Sequence, residues 1–146
     1  MHKIIATGFG IGYIGKGSGT IAALACCGVW YVTGGGNPLV ATLITVAITG
    51  IGIWSATNVE KYWGVHSSRV VIDEIAGMCI SLLFLPFTFP VLCAAFVLFR
   101  FFDIVKPLYI RRTEALPGGW GVMTDDVLAG LYTNIILQLM VRVVLI

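Results

Sequence analysis

Charge is what this chain has least of. Of its 146 residues only 11% are Asp, Glu, Lys or Arg, against about 25% in an average soluble domain. No acid precedes Glu60, no charge of either sign falls between Gly17 and Val59, and none falls between Ile75 and Phe99. A net charge of +2 is too small to hold a polyanion, so nucleic acid is excluded as a partner. Apolar residues make up 58% and the mean hydropathy is +0.97. That excludes a disordered chain and argues against a water-soluble globule. The length suits a single domain, 1–146.

Common catalytic machinery is missing too. There are two histidines, His2 and His66, and no Gly-x-Ser-x-Gly elbow. Six residues separate Cys93 from Arg100, one more than a cysteine-phosphatase loop allows, with no glycine between them. Gly17 follows Lys16 where a Walker A loop needs Ser or Thr, and Gly10-x-Gly12-x-x-Gly15 has no acid after it until Glu60. Cys26, Cys27, Cys79 and Cys93 all sit in apolar runs without zinc spacing, so they read as small hydrophobes packed between helices. The start, with Lys3 as its one early charge, is too glycine-rich for a signal-peptide core and is expected to be retained.

What is present is a series of long apolar runs. A spanning helix needs about 20 apolar residues. Thr33-Gly34-Gly35-Gly36-Asn37-Pro38 breaks the first uncharged run into spans near Ser18–Val32 and Leu39–Thr57. The final run is Val127–Ile146, with Arg142 able to snorkel near its end. Ile75–Phe99 is either one kinked helix or a hairpin turning at Pro86-Phe87-Thr88-Phe89-Pro90. Positive charge decides. As one helix, Lys3, Lys16, Lys61 and Arg69 would face Arg100, Lys106, Arg111 and Arg112 across the bilayer, against the positive-inside rule. As a hairpin, near Val70–Leu85 and Val91–Val105, it puts all eight on one face. The expected fold is therefore an all-α, polytopic membrane bundle. It has five spans and a Gly-rich N-terminal segment, with its charged loops in the cytoplasm.

Five of the seven acids, Asp73, Glu74, Asp103, Asp125 and Asp126, then lie at helix ends on that face. Acids at helix starts are ordinary caps. One cap needs one acid, however, and here two helices are expected to open on two each: Asp73-Glu74 and Asp125-Asp126. Converging carboxylates repel unless a metal ion sits among them, and carboxylate oxygens suit Mg2+. Arg100, Asp103 and Lys106 repeat at i, i+3, i+6 on roughly one helix face. They form either a ladder of ion pairs or a phosphate clamp beside a metal. Arg111 and Arg112 can anchor at headgroups. Six of the twelve residues from Gly8 to Gly19 are glycine. This segment allows either close helix packing or a backbone nest for an anion ending at Ser18-Gly19-Thr20. His66 lies in the loop before Asp73. Asp73-Glu74-Ile75-Ala76-Gly77 and Asp125-Asp126-Val127-Leu128-Ala129-Gly130 look alike, and the glycine one turn on would let another helix approach the acids.

Four segments resemble the phosphatidylglycerophosphatase A family. Val70-Val71-Ile72-Asp73-Glu74-Ile75-Ala76-Gly77 is similar to its IVIDE-x-x-G segment. Leu98-Phe99-Arg100-Phe101-Phe102-Asp103-Ile104-Val105-Lys106-Pro107 is similar to its FR-x-x-D-x-x-KP segment. Gly118-Gly119-Trp120-Gly121-Val122-Met123-Thr124-Asp125-Asp126 through Gly130 is similar to GG-x-G-x-M-x-DD-x-x-AG, and Gly8-Phe9-Gly10 through Ser18-Gly19-Thr20 to GFG…PGT. They occur in family order along nearly the whole chain. Ser18 stands where the family has proline, Ala22-Ala23 where it often has Gly-Ser, and His66 about where many members have an acid.

The resemblance implies a Mg2+-dependent lipid phosphatase of the bacterial inner membrane that converts phosphatidylglycerophosphate to phosphatidylglycerol. It implies Asp73, Glu74, Asp103, Asp125 and Asp126 as metal ligands. Arg100 and Lys106 join Asp73, Glu74, Asp103 and Asp126 as catalytic residues. Ser18, Gly19, Thr20, His66 and Arg111 are the substrate-binding candidates. The nucleophile is either a metal-activated water or a carboxylate. The competing reading from the residues is a small carrier moving a cation or proton through buried carboxylates, which should be spread through the membrane depth.

Overall fold

The computed structural model describes residues 1–33, 37–64, 67, 69–86, 88–107 and 109–145. They form six α-helices: α1 (His2–Ala6), α2 (Ser18–Thr33), α3 (Pro38–Trp63), α4 (Ile72–Leu82), α5 (Phe89–Val105) and α6 (Gly119–Leu145). Short 3-10 turns occupy Ile11–Ile14 and Ile110–Ala115. The described residues contain no strand, so the chain is all-α as expected.

Two helices, Pro38–Trp63 and Gly119–Val144, are long and apolar enough to cross a membrane, and only 22% of each apolar window is buried. A core helix of a soluble protein would be mostly covered. Here Leu43, Val46, Trp54, Leu139 and Val143 point outward, exposed, as side chains facing hydrocarbon do. The chain is thus a membrane-associated protein.

The Ile75–Phe99 run is two helices, α4 and α5, as the charge argument required. Proline opens both α3 and α5, at Pro38 and Pro90, where a missing N–H costs nothing. Asn37 caps α3 by accepting from Leu39 N at 2.8 Å, and Thr88 caps α5 by accepting from Val91 N at 3.4 Å.

Short α4 is the centre of the bundle. Its buried residues include Ile72, Ala76, Gly77, Met78 and Leu82. Met78 and Leu82 pack with Leu92, Ala95, Phe99 and Leu137 of α5 and α6. Ile72 and Ala76 pack with Ala56, Val59, Val122 and Met123 of α3 and α6. The last carbonyls of α4 have no partners within the helix. Asn134 Nδ2 on α6 donates to Leu83 O at 2.7 Å and Ser81 O at 3.2 Å, and Gln138 Nε2 donates to Leu83 O at 3.2 Å.

The described cysteines are all free, and Cys26 Sγ lies 3.4 Å from Cys79 Sγ between α2 and α4. At the end of α3 three basic residues gather, with Lys3 Nζ 4.3 Å and Lys61 Nζ 5.1 Å from the Tyr62 ring and Arg69 5.5 Å from the Trp63 ring.

Candidate active site

A cavity of about 780 Å³ opens where the starts of α2 and α4, the end of α5 and the second turn of α6 meet. Gly15, Lys16, Gly17, Ser18 and Gly19 form one wall. Asp73 and Glu74 come from α4, Arg100 and Asp103 from α5, Lys106 from the residue after it, Glu114 from the second 3-10 turn, and Asp125 and Asp126 from α6. Six carboxylates therefore face three cations. Residues from five separate stretches of chain converge, including all five acids expected to hold metal.

Burial is deep. Asp73 is 9% exposed, Asp125 4% and Asp126 1%. Buried charges persist only when paired, hydrogen-bonded or bound to metal. Some of these are paired. Arg100 Nη1 donates to Asp103 Oδ2. Lys106 Nζ donates to Asp125 and lies 2.8 Å from Glu114 Oε1. Burial alone would lower the Lys106 pKa, but its hydrogen bonds to Asp125 and Glu114 outweigh that and raise it. Lys106 is a fixed positive charge at neutral pH. Of the ladder, the Arg100–Asp103 rung forms, while Lys106 turns to Asp125 and Glu114, and both cations line the cavity.

Other oxygens are left over. Glu74 Oε2 and Asp126 Oδ2 are buried without a hydrogen-bond partner among the described residues. Asp73, Asp125 and Asp126 bring one oxygen each within 4.8 Å of one another, and so do Glu74, Asp103 and Asp126. Oxygen donors so placed, with a surplus of negative charge, fit a hard divalent cation such as Mg2+.

Glycines let these elements close up. A Cβ on Gly77 would lie 2.6 Å from Asp126 O, and one on Gly130 would lie 2.4 Å from Gly77 O, so α4 and α6 cross in backbone contact beside their acids. A Cβ on Gly19 would lie 2.4 Å from Glu74 Oε1. The bare start of α2 thus admits Glu74, and the positive end of the α2 dipole points into the cavity, where it favours an anion.

One expectation is corrected. Asp125 and Asp126 do not open α6, which begins at Gly119. Thr57 of α3 caps that start from outside, accepting from Gly119 N at 2.8 Å. A Cβ on Gly119 would lie 2.3 Å from Ile53 O, so only glycine allows this approach. The two acids are moved into the second turn, where Val122, Asp125 and Asp126 share the face that lines the cavity.

Of the substrate-binding candidates, Ser18 and Gly19 line the cavity and Thr20 does not. Arg111 is exposed, with Nη2 donating to Val105 O at 3.3 Å, outside the cavity lining. His66 lies outside the described residues. Lys16 and Glu114 are cavity residues that sequence reasoning missed. Glu114 carried no signal, being a lone acid in a short loop.

The family model for Phosphatidylglycerophosphatase A matches residues 4–141. A Bacteroides thetaiotaomicron protein provisionally named phosphatidylinositol-3-phosphatase is 44% identical over 92% of this chain and 89% of its own. Proteins named Phosphatidylglycerophosphatase A from Haemophilus influenzae and Escherichia coli (strain K12) are 37% and 35% identical. They align over 91% and 87% of this chain and 84% and 76% of their own lengths. No solved structure matches the chain.

Proposed function

The chain belongs to the phosphatidylglycerophosphatase A family, and from that premise we propose that it is a Mg2+-dependent lipid phosphatase converting phosphatidylglycerophosphate to phosphatidylglycerol and phosphate. The observation that carries the reading is the cavity: six carboxylates, three cations and a helix start gathered at one end of an apolar bundle. That is a site for a phosphate and a divalent cation at headgroup level. A carrier would need acids spread through the membrane depth, and these are gathered in one place.

In this reading the protein sits in the bacterial inner membrane as a bundle of five spans, α2 to α6, with the cavity facing the cytoplasm. At 1.5 Å per residue the 11 residues of α4 rise about 16 Å, roughly half the hydrocarbon thickness of about 30 Å. One end of α4 must then stop inside the apolar layer. There unpaired carbonyls are costly, and Asn134 and Gln138 meet the carbonyls at its C-terminal end. A separate apolar cavity of about 410 Å³ lies between α3 and the two helices that bear Ser18, Gly19, Asp73 and Glu74. Ala22, Ala25, Cys26, Ile75 and Cys79 line it, and it offers an acyl chain a place beside the headgroup site.

Hydrolysis breaks the ester P–O bond, the leaving oxygen taking a proton to become the lipid's hydroxyl, and joins a water oxygen to phosphorus, either directly or by displacing a carboxylate that attacked first. Arg100, Lys106 and Lys16 hold the phosphate oxygens and offset the charge that develops on them. Asp103 fixes the Arg100 guanidinium, and Asp125 and Glu114 fix Lys106. Asp73, Glu74, Asp103, Asp125 and Asp126 would hold Mg2+. When bound, Mg2+ neutralises phosphate charge and makes a nearby water more acidic. Glu74, whose Oε2 meets no donor among the described residues, is placed to take a proton or to attack.

The test is phosphate release from phosphatidylglycerophosphate in detergent micelles, with Mg2+ and then with EDTA. Release that needs the metal supports the reading, and none in either condition from folded protein rejects it. The 44% identity to the Bacteroides thetaiotaomicron protein favours a second substrate of the same chemistry, phosphatidylinositol 3-phosphate. A parallel arm with that lipid decides between them by the ratio of kcat/KM.

A further inference from the structure

We propose that the cavity holds two divalent cations, with Asp126 shared between them. This rests on the phosphatase reading above and adds the number of ions and the side chain that joins them.

The carboxylates form two overlapping sets, Asp73–Asp125–Asp126 and Glu74–Asp103–Asp126, each with its oxygens within 4.8 Å. Asp126 belongs to both. Its side chain is 1% exposed, and its Oδ2 has no hydrogen-bond partner among the described residues. Glu74 Oε2, in the second set, is in the same state. A buried carboxylate oxygen without a donor costs free energy that a cation recovers. A carboxylate has two oxygens and can serve two cations. Each set also contains one acid already turned by a cation, Asp125 by Lys106 and Asp103 by Arg100. Those pairs orient one ligand for each ion.

Charge leads to the same number. Six carboxylates against Lys16, Arg100 and Lys106 leave the lining three positive charges short when all are ionised. One divalent cation leaves it still negative, before a phosphate monoester brings nearly two more negative charges. Two make the lining slightly positive, so that a phosphate can enter.

The experiment titrates metal-free protein in detergent micelles with Mn2+ and follows free and bound ion by electron paramagnetic resonance, with Mg2+-dependent phosphate release measured on the same sample. The expected result is two Mn2+ per chain with a spin-coupled spectrum. Asp73→Asn and Asp103→Asn should each leave one uncoupled Mn2+. Asp126→Asn should weaken both sites roughly tenfold or more, with melting temperature and elution volume reporting that the variants fold. Saturation of the wild-type chain at one Mn2+, with metal-dependent release intact, overturns the second ion and leaves the phosphatase. Two uncoupled ions, of which Asp126→Asn removes only one, overturn the sharing. No bound Mn2+ and no metal-dependent release overturn both readings.

Discussion

Replacing Gly130 with Ala tests whether the crossing of α4 and α6 sets the geometry of the site. The added Cβ would stand 2.4 Å from Gly77 O and 3.1 Å from both Gly77 C and Ile80 Cβ. Ordinary contact begins at 3.4 Å, so the two helices must part by about 1 Å. No flexible side-chain end can yield instead, because the obstructing atoms are backbone or Cβ. Overpacking of this kind costs about 1–3 kcal/mol. The functional loss should be larger, because α4 carries Asp73 and Glu74 and α6 carries Asp125 and Asp126. A misplacement of 1 Å between reacting groups costs roughly 10²-fold. The assay is kcat/KM for phosphate release together with the melting temperature in the same micelles. Gly50→Ala is the control, since a Cβ at Gly50 of α3 meets nothing within 4 Å. Gly130→Ala should lose about 10²-fold in kcat/KM while Gly50→Ala stays near wild type. Equal behaviour of the two variants would refute the argument that backbone contact at this crossing positions the acids.

Asp126→Asn should abolish turnover, by roughly 10²- to 10⁴-fold, in a chain that still folds; near-normal phosphate release would remove Asp126 from the site. Lys106→Met leaves Asp125 and Glu114 without their cation and should cost about 10²–10³ in kcat, while Lys106→Arg keeps the charge and should lose less; equal losses would refute a charge role. Asn134→Leu removes the donors to Leu83 O and Ser81 O and should destabilise by about 1–3 kcal/mol, read as a lower melting temperature. Ala25→Trp narrows the apolar cavity and displaces about two methylenes at ~0.8 kcal/mol each, raising KM for a long-chain lipid roughly tenfold. A dihexanoyl substrate should keep its KM, and equal shifts for both chain lengths would place the acyl chains elsewhere.

Much of this architecture was legible in the residues. Scarce charge with long apolar runs specified membrane helices, and the distribution of lysine and arginine divided Ile75–Phe99 into α4 and α5. The i, i+3 spacing placed Arg100 and Asp103 on one wall, because helical periodicity is local and needs no tertiary knowledge, whereas Lys106 reaches the same wall from the left-handed residue that ends α5. What failed depended on contacts between distant segments. The start of α6 is set by Thr57, 62 residues earlier in the chain, so a reading that looked for a local cap chose Asp125-Asp126. Asn134 and Gln138 carry no local sign of their role, because the carbonyls they serve belong to the end of α4. Lys16 and Glu114 enter the cavity only once α2 and the second 3-10 turn fold against the acids.

The likeness of Asp73-Glu74-Ile75-Ala76-Gly77 to Asp125-Asp126 through Gly130 has a physical meaning whether or not it records a repeat. In both helices an aspartate precedes a glycine by four residues, Asp73 before Gly77 and Asp126 before Gly130. Residues four apart lie on one helix face, one above the other. Each glycine marks the strip where the opposite backbone comes within reach, so the aspartate one turn earlier is carried to the same interface. That is why Asp73 and Asp126 are buried and share one oxygen cluster. Helix caps would have left these acids at separate helix ends in water. Two glycine-bearing faces laid against each other bring them together in a buried space, where their oxygens stand close enough to coordinate a divalent cation.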